Sequence, residues 1–578
     1  MHHQSQMPYS YYDTATGNIN LKLHTNSTIS TARVYFGDPF DFVQTTRPDA
    51  YGGYIWDWNY SEVAMSPQYT CKESITWQVS FPPTQAKRLK YMFAITDTTG
   101  KEIFYGENGV CSGLDSFTSF FFFPHVHEID AIKMPEWASN VCWYQIFPER
   151  FKNGNPAISP ANAEGWETGK PAPRNFFGGD LYGIIEKLPY IHELGFTGIY
   201  LTPLFTSPSN HKYDTEDYFA IDPHFGDKKK LKELVQKAHA LGIKVMLDAV
   251  FNHIGSNHVF WQDVLKNQEK SKYKDYFHIH SFPVADRPRR EELTYSTFAF
   301  ASSMPKWNTE HPEVRQHLID VGLYWINECD IDGWRLDVSD EVSFSFWHDF
   351  RKAINKVKPE VFVLGEVWHD PAKWLNGGYF DAVMNYYLGY LMRDLFAKGE
   401  ITPDEFTQRL FAKLSRFSDI HKRVSFNLLD SHDTARILTQ SGGNKLGCKN
   451  AFLFMMLMPG APCIYYGTEV GMEGADDPDC RCPMIWDEAK QDLKLQTFFK
   501  KLIALRKEHN KLIQNAEISY VKEKNLCRWT LGKGSERLQL VYNISDSNIK
   551  LEETILLSTE EDVNGVLPAG VLALCTIS

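Results

Sequence analysis

IKVMLDAVFNH, residues 243–253, is a short apolar run ending in polar side chains, and the amphipathic segment KKKLKELVQKAHALG (228–242) leads straight into it. A helix feeding directly into a buried strand is half of a βαβ unit and implies parallel strand pairing. The same rhythm recurs on both sides. CWYQIFP (142–148) and FTGIYLTP (196–203) precede it, and IDGWRLDV (331–338), VFVLGEVW (361–368), FDAVMNYY (380–387), VSFNLLDSHD (424–433) and APCIYYGTE (461–469) follow. Helical patterns such as EVRQHLIDVGLYWINECD (313–330) separate them. Eight such strands over roughly 350 residues predict an α/β fold of the TIM, or (β/α)8 barrel, type. The longest gap follows Asn252–His253, so a small domain at about residues 254–303 is expected to bulge from the third strand–helix loop.

The flanks read differently. Residues 1–130 alternate polar and apolar positions between turn signals, as in INLKLHT, ARVYFGDP, ITWQVSFPP and the aromatic run SFTSFFFFPH, which predicts an N-terminal β-sandwich. The barrel is expected over 131–505, the helical rhythm stopping near Leu505. LCRWTLG, RLQLVYNIS, LEETILLS and GVLALCTIS then predict a C-terminal antiparallel β domain over 506–578.

Composition narrows the function classes. A formal net charge of −12 speaks against a nucleic-acid partner. The opening MHHQSQMPYSYYD has neither a basic n-region nor an apolar h-region, so no secretory signal is expected there. The most apolar run, 451–466, is interrupted by two prolines and a glycine, so no membrane span is expected. The ten cysteines lack the spacing of a secreted disulfide framework, which points to reduced thiols and a cytoplasmic location.

Reactive side chains of a (β/α)8 barrel stand at the C-terminal ends of its strands. Strand three ends in Asp248, Asn252 and His253, strand four in Arg335 and Asp337, strand five in Glu366, and strand seven in Asp430, His432 and Asp433. Any one Asp there could be a helix N-cap. Several carboxylates, two histidines and an arginine together are poorly explained as caps. Paired carboxylates suit glycoside hydrolysis, one attacking the anomeric carbon while the other protonates the leaving oxygen. Arg335, two residues before Asp337, shares its face of the strand and is expected to keep that carboxylate ionised. Trp368, two residues after Glu366, would supply an aromatic wall favouring a protonated acid.

At these motifs the chain resembles the α-amylase superfamily, family 13 of the glycoside hydrolases. DAVFNH (248–253), GWRLDVSDE (333–341), GEVW (365–368) and LLDSHD (428–433) match its four short motifs in order and spacing. MPKWN (304–308), YQIFPERF (144–151) and NHKYDTEDYFAIDPHFGD (210–227) are similar to the neopullulanase, cyclomaltodextrinase and maltogenic amylase group. The resemblance implies hydrolysis of α-1,4 and secondarily α-1,6 glucosidic bonds in cyclomaltodextrins, pullulan and maltooligosaccharides, with some transfer to sugars. It implies Asp337 as nucleophile, Glu366 as acid/base and Asp433 as the third carboxylate that stabilises the transition state. His253 and His432 would bind hydroxyls of the scissile glucose, Arg335 would partner the nucleophile and Tyr213 would stack under that sugar. Trp368 would line the acceptor side, and Asp477 with Arg481 would grip the non-reducing end; alone, that pair would read as a surface ion pair.

Other readings stay open at this point. A sucrose- or trehalose-type transglucosidase would share the fold, and an inactive sugar-binding relative would ordinarily lack one of the three carboxylates. NGNPAIS with FFGGD resembles the group's calcium site, implying Asn153, Asn155, Ser159, Gly178 and Asp180 as ligands; a metal-free Asn/Gly turn is the alternative. Motif two ends in SDE where the group often has ANE, so Asp340 adds a carboxylate near the acceptor. The aromatics Tyr51, Tyr54, Trp56, Trp58 and Tyr60, in a loop-like stretch beside Gly52 and Gly53, read either as sandwich core or as a contact surface. As a surface they predict a homodimer.

Overall fold

A computed structural model describes residues 1–578 except 112, 115–118, 562 and 578. The start of the expected strand SFTSFFFFPH and the last residue of GVLALCTIS fall outside the described residues. The chain forms two compact units: Met134–Glu400 with Arg423–Asn510, and Met1–Lys133 with Ile401–Lys422 and Lys511–Ser578.

The larger unit is the barrel. Its strands are β1 (Trp143–Ile146), β2 (Gly198–Leu201), β3 (Lys244–Ala249), β4 (Gly333–Leu336), β5 (Phe362–Gly365), β6 (Ala382–Val383), β7 (Phe426–Asn427) and β8 (Ala461–Tyr465). They pair in parallel in the order β6-β5-β4-β3-β2-β1-β8-β7, and a parallel bridge from Met384 to Phe426 joins the two ends. The interior is packed with Trp143, Tyr200, Met246, Phe362, Leu364 and Phe426. Gly198 is what admits Trp143: a Cβ there would overlap the indole.

The helices form where their residues dictate. α1 (Leu181–Leu194) is capped by Asp180, which accepts from Gly183 N at 2.7 Å, and ends at Gly195 in the left-handed region. α2 (Lys228–Ala240) is capped by Asp227 and buries Leu231, Leu234, Val235 and Ala238, one stripe at helical spacing. α3 (Pro312–Cys329) has Pro at its first position and buries Val314, Leu318, Val321 and Trp325. α4 (Leu493–Glu508) runs past the expected stop near Leu505. Its buried stripe ends on Arg506, whose guanidinium is satisfied by the carbonyls of Met456, Met458 and Gly460. A charged residue in that role hides the last turn from an apolar-periodicity reading.

The insertion after β3 contains a helix, Val259–Asn267, and isolated bridges between Phe277 and Trp307, Ile279 and Tyr295, and Thr297 and Pro305. Its aromatic core joins Trp261, Phe277, Tyr295 and Trp307 at ring separations of 4.5–5.0 Å. The Trp of MPKWN is therefore a core residue of the insertion, whose closing segment runs beyond residue 303 through isolated bridges at Pro305, Lys306 and Trp307.

The other unit draws its boundaries differently from the sequence reading. One nine-stranded sheet contains strands from both ends of the chain, joined where Ser66–Thr70 pairs in parallel with Ile518–Glu523. A second, six-stranded sheet covers it, and Ile19, Leu21, Val34, Trp77, Tyr91 and Phe93 fill the space between. Residues 401–422, expected within the barrel segment, belong here; Thr407 Oγ1 accepts from Trp529 Nε1 at 2.9 Å. Strand alternation reports that a strand exists, not which strand hundreds of residues away it will pair with.

The aromatic stretch near Gly52 is not a loop. Phe42–Pro48 and Tyr54–Trp58 form a separate two-stranded hairpin. Tyr51 is 98% exposed, Trp56 59%, and Tyr54 and Tyr60 about half, while Trp58 packs inward on Phe120 and donates to Asp38 O.

Candidate active site

The C-terminal ends of β3, β4, β5 and β7 converge on one cleft of about 420 Å3. Of the residues singled out in the sequence, Tyr213, His253, Asp337, Asp340, Glu366, Trp368, Asp433, Asp477 and Arg481 line it. Arg335 and His432 lie beneath its floor, both fully buried.

Arg335 is the hub. Its Nη1 donates to Asp337 Oδ1 at 2.7 Å and to both Asp248 oxygens at 3.1 Å. Its Nη2 lies 2.9 Å from Glu366 Oε2, an ion contact without hydrogen-bond alignment, and 4.0 Å from Asp433. One guanidinium thus serves four carboxylates. Burial pushes the Asp337 carboxyl well above the ordinary range; Arg335 opposes this, while the charges of Glu366 and Asp248 add to it. Arg335, expected to keep Asp337 ionised, does pull that way, but its charge is shared with three other carboxylates. Asp248 is likewise raised by burial, to about 6, against the pull of Arg335 and the hydroxyls of Tyr200 and Tyr213.

Glu366 is held by three groups. Besides Arg335, Val338 N donates to Oε2 at 2.9 Å and Trp368 Nε1 donates to Oε1 at 2.9 Å. Trp368 thus meets the carboxyl through its polar edge rather than its ring face, and the face stacks on Tyr386 at 3.6 Å. Val338 reaches Glu366 from a left-handed conformation (φ 44°), a strained one for a β-branched residue of the kind found at functional sites.

The opposite wall is equally tied. Tyr213 Oη contacts Asp248 Oδ2 (3.0 Å) and His432 Nε2 (2.5 Å), and its ring lies parallel to that imidazole. Burial lowers the His432 pKa well below the ordinary range and that of His253 to about 3, so both are neutral imidazoles. His253 Nε2 is buried without a hydrogen-bond partner. Arg481 is buried, contacting Asp477 at 3.1 Å, Asp433 at 3.4 Å and the carbonyl of His432 at 2.8 Å. The pair is therefore part of the cleft wall rather than a surface ion pair, and a 3-10 turn, not an α-helix, spaces it.

The cleft also contains residues that the sequence reading does not select: His211, Phe298, Met304, Val338 and Glu341. Phe298 stacks on His253 at 4.9 Å. Phe298 and Met304 come from the insertion, and nothing in their local pattern separates them from its core aromatics.

The five residues of the expected calcium site sit together, and none lines the cleft. Asn153 Nδ2 donates to Ser159 Oγ at 2.9 Å, and Gly178, in the left-handed region, packs against both side chains. Asn155 caps the following 3-10 turn. The Asp180 carboxylate accepts from the backbone of Gly154, Asn155 and Gly183. Asn153 Oδ1 is buried with no donor. Among the described residues there is no metal-binding cluster of three His, Cys, Asp or Glu, and no helix long and apolar enough to cross a membrane.

Residues 145–507 match the α-amylase catalytic-domain model, and residues 1–127 match the α-amylase N-terminal Ig-like domain model. The chain is 44% identical over 552 residues to a cyclomaltodextrinase of Geobacillus thermopakistaniensis, covering 94% of this chain and 91% of that protein. It is 44% identical over 526 residues to an intracellular maltogenic amylase of Bacillus subtilis, covering 90% and 86% respectively. A solved cyclomaltodextrinase structure superposes with a TM-score of 0.86 at 36% identity, covering 99% of each chain. With four motif segments converging on one carboxylate-rich cleft of a (β/α)8 barrel, the chain belongs to the α-amylase family of glycoside hydrolases.

Proposed function

We propose that this chain is a retaining α-glycosidase of cyclomaltodextrins, pullulan and maltooligosaccharides, cutting α-1,4 and secondarily α-1,6 bonds and passing some glucosyl units to sugar acceptors. The observation that carries the reading is a single guanidinium, Arg335, in contact with both Asp337 and Glu366 on adjacent strands. In this reading Asp337 attacks the anomeric carbon as Glu366 protonates the leaving oxygen, giving a glycosyl ester on Asp337. Glu366 then takes a proton from water, which attacks the same carbon and releases Asp337. An excess of carboxylates over cations favours keeping a proton within the cluster, and the first step needs that proton on Glu366. Asp433, braced by Arg481, stabilises the developing positive charge. The unpartnered His253 Nε2 is available to a sugar hydroxyl, and His432 acts from below by fixing Tyr213, on which the sugar stacks. Asp477 and Arg481 close the non-reducing end, and Trp368 borders the leaving-group side. Proton NMR of fresh hydrolysate should show the α-anomer first; initial β-product would mean inversion and would remove these roles.

The turn around Asn153 fits a weak oxygen-ligand site for calcium. Its unsatisfied Asn153 Oδ1 is an acceptor that a cation would occupy, with Ser159, Asn155, the Gly178 carbonyl and Asp180 completing the set. With one carboxylate, itself engaged by backbone N–H groups, affinity should be low and the role structural. A chelator should lower the thermal midpoint, and millimolar calcium should restore it. An unchanged midpoint together with no metal by elemental analysis rules the site out.

A homodimer through the exposed aromatic hairpin, closing the cleft to bulky polymer, accounts for Tyr51, Tyr54 and Trp56 on a surface. Deleting residues 1–130 is a poor test, because it would strip Ile518–Glu523 of its parallel partner. Replacing Tyr54 and Trp56 together by Ser should instead yield monomers in sedimentation and lower the cyclomaltodextrin-to-starch activity ratio. A wild-type chain that sediments as a monomer defeats this. The ten cysteines, none in a disulfide, support a cytoplasmic setting, which cell fractionation tests.

A further inference from the structure

Asp337, Glu366 and Asp433 are not held alike. Arg335 Nη1 donates to Asp337 at 2.7 Å, and Val338 N and Trp368 Nε1 each donate to Glu366 at 2.9 Å. The Asp433 carboxylate is held more loosely, 3.2 Å from His432 Nε2, 3.4 Å from Arg481 and 4.0 Å from Arg335. Its place is therefore set by the backbone of the loop that carries it, residues 431–435. Asp430 and Arg436 stand at the two ends of that loop, 2% and 0% exposed. Asp430 Oδ2 accepts from Ile437 N at 3.1 Å, which draws the ends together, and from Thr468 Oγ1 at 3.0 Å. Arg436 Nη1 donates to the carbonyl of Tyr466 at 2.7 Å, and Arg436 N to that of Gly474 at 2.9 Å. Both ends are thus moored to the segment after β8. Arg436 Nε and Nη2 and Asp430 Oδ1, all buried, have no hydrogen-bond partner. The two charges nevertheless act on each other: burial raises the Asp430 carboxyl above its ordinary range, and Arg436 is the strongest influence opposing it. Donors on one side and an acceptor on the other, each costly to leave dry, are what an internal water satisfies.

We propose that Asp430 and Arg436 are positioning residues for Asp433, an ion pair closed by internal water that fixes both ends of its loop. This rests on the reading of Asp433 as the group that stabilises the developing positive charge. Neither residue lines the cleft, and neither takes part in a bond exchange. A carboxylate stabilises the transition state only if it already stands where the positive charge develops. Freedom left to the loop therefore costs turnover rather than binding of the ground-state sugar. Arg335 cannot fix Asp433 in their stead, because its guanidinium is engaged more closely by Asp337, Asp248 and Glu366.

The test uses the full-length enzyme on maltooligosaccharides, with Asp433→Asn as the reference. Asp430→Asn keeps the shape and one acceptor oxygen, and Arg436→Met keeps the length without the charge. Each should lower kcat about 10^2-fold, the scale of a catalytic group misplaced by about 1 Å, and leave KM within about twofold. A cationic iminosugar that mimics the transition state should lose affinity in step with kcat. Neither change should lower kcat further in the Asp433→Asn background, because its effect passes through that carboxylate. A crystal structure should show ordered solvent bonded to both Arg436 and Asp430 Oδ1. Unchanged kcat in Asp430→Asn, where Asp433→Asn is crippled, overturns the inference alone, as does a dry gap between the pair. A further loss of kcat in the Asp433→Asn background, or KM rising in step, marks the pair as general support and overturns it too. So does an Asp430→Asn chain that does not fold; should only Arg436→Met fail to fold, Asp430→Asn decides. Asp433→Asn with near wild-type kcat removes the reading of Asp433 and this inference with it.

Discussion

Asp337→Asn should lower turnover of maltooligosaccharides by about 10^4-fold or more, the range seen when a covalent nucleophile is removed. The amide cannot form the glycosyl ester, so what remains is whatever the rest of the cleft achieves by positioning and polarisation. The fold should survive. The oxygen of the introduced amide can still accept from Arg335 Nη1, the contact that Asp337 makes at 2.7 Å. The change also removes a carboxyl whose ionised form burial and two neighbouring carboxylates already disfavour. The thermal midpoint should therefore be unchanged or slightly higher, a trade of stability against activity common at strained sites. Both are read from one preparation, by reducing-sugar release and by thermal melting. Residual activity above about a tenth of wild type would reassign the nucleophile. Loss of activity with a collapsed midpoint would make Asp337 a structural residue.

Glu366→Gln should separate substrates by leaving group. Maltooligosaccharides, whose alkoxide must be protonated as it departs, should slow by about 10^3-fold, whereas an aryl glycoside with an acidic phenol should slow far less in its first step. The surroundings complicate the glutamine. Val338 N directs its hydrogen at Oε2 and Trp368 Nε1 at Oε1, so the NH2 of the introduced amide must face a donor on either side. Glu366→Ala avoids that clash and should show the same split, which ties the effect to the missing proton donor rather than to a displaced Trp368. Equal losses on both substrates in both variants would take the acid role away from Glu366.

How legible these features are in the sequence depends on how local they are. The strand ends bearing Asp337 and Glu366 can be read because a barrel strand buries its apolar residues and lifts the next polar one into the mouth. Tyr213, Asp477 and Arg481 come through resemblance alone, and the structure puts them on the same cleft. Phe298 stays invisible, since an insertion full of aromatics gives no local sign of which ring leaves its core. The end of α4 lies beyond its expected place because a buried Arg506 satisfied by three carbonyls looks, in sequence, like solvent-facing polarity.

The sequence by itself determined the eight strands of the barrel, the place of its insertion and which carboxylates would stand at strand ends, because burial periodicity and strand-end polarity act within a few residues. Only the tertiary structure decided that one guanidinium is shared among four carboxylates, so that burial outweighs it at Asp337. It also decided that strands from the two ends of the chain share a sheet, and that the aromatic hairpin lies outside the core. Each of these depends on partners far apart in sequence, and charge sharing, strand pairing and exposure are set by distance in space, which no local pattern encodes.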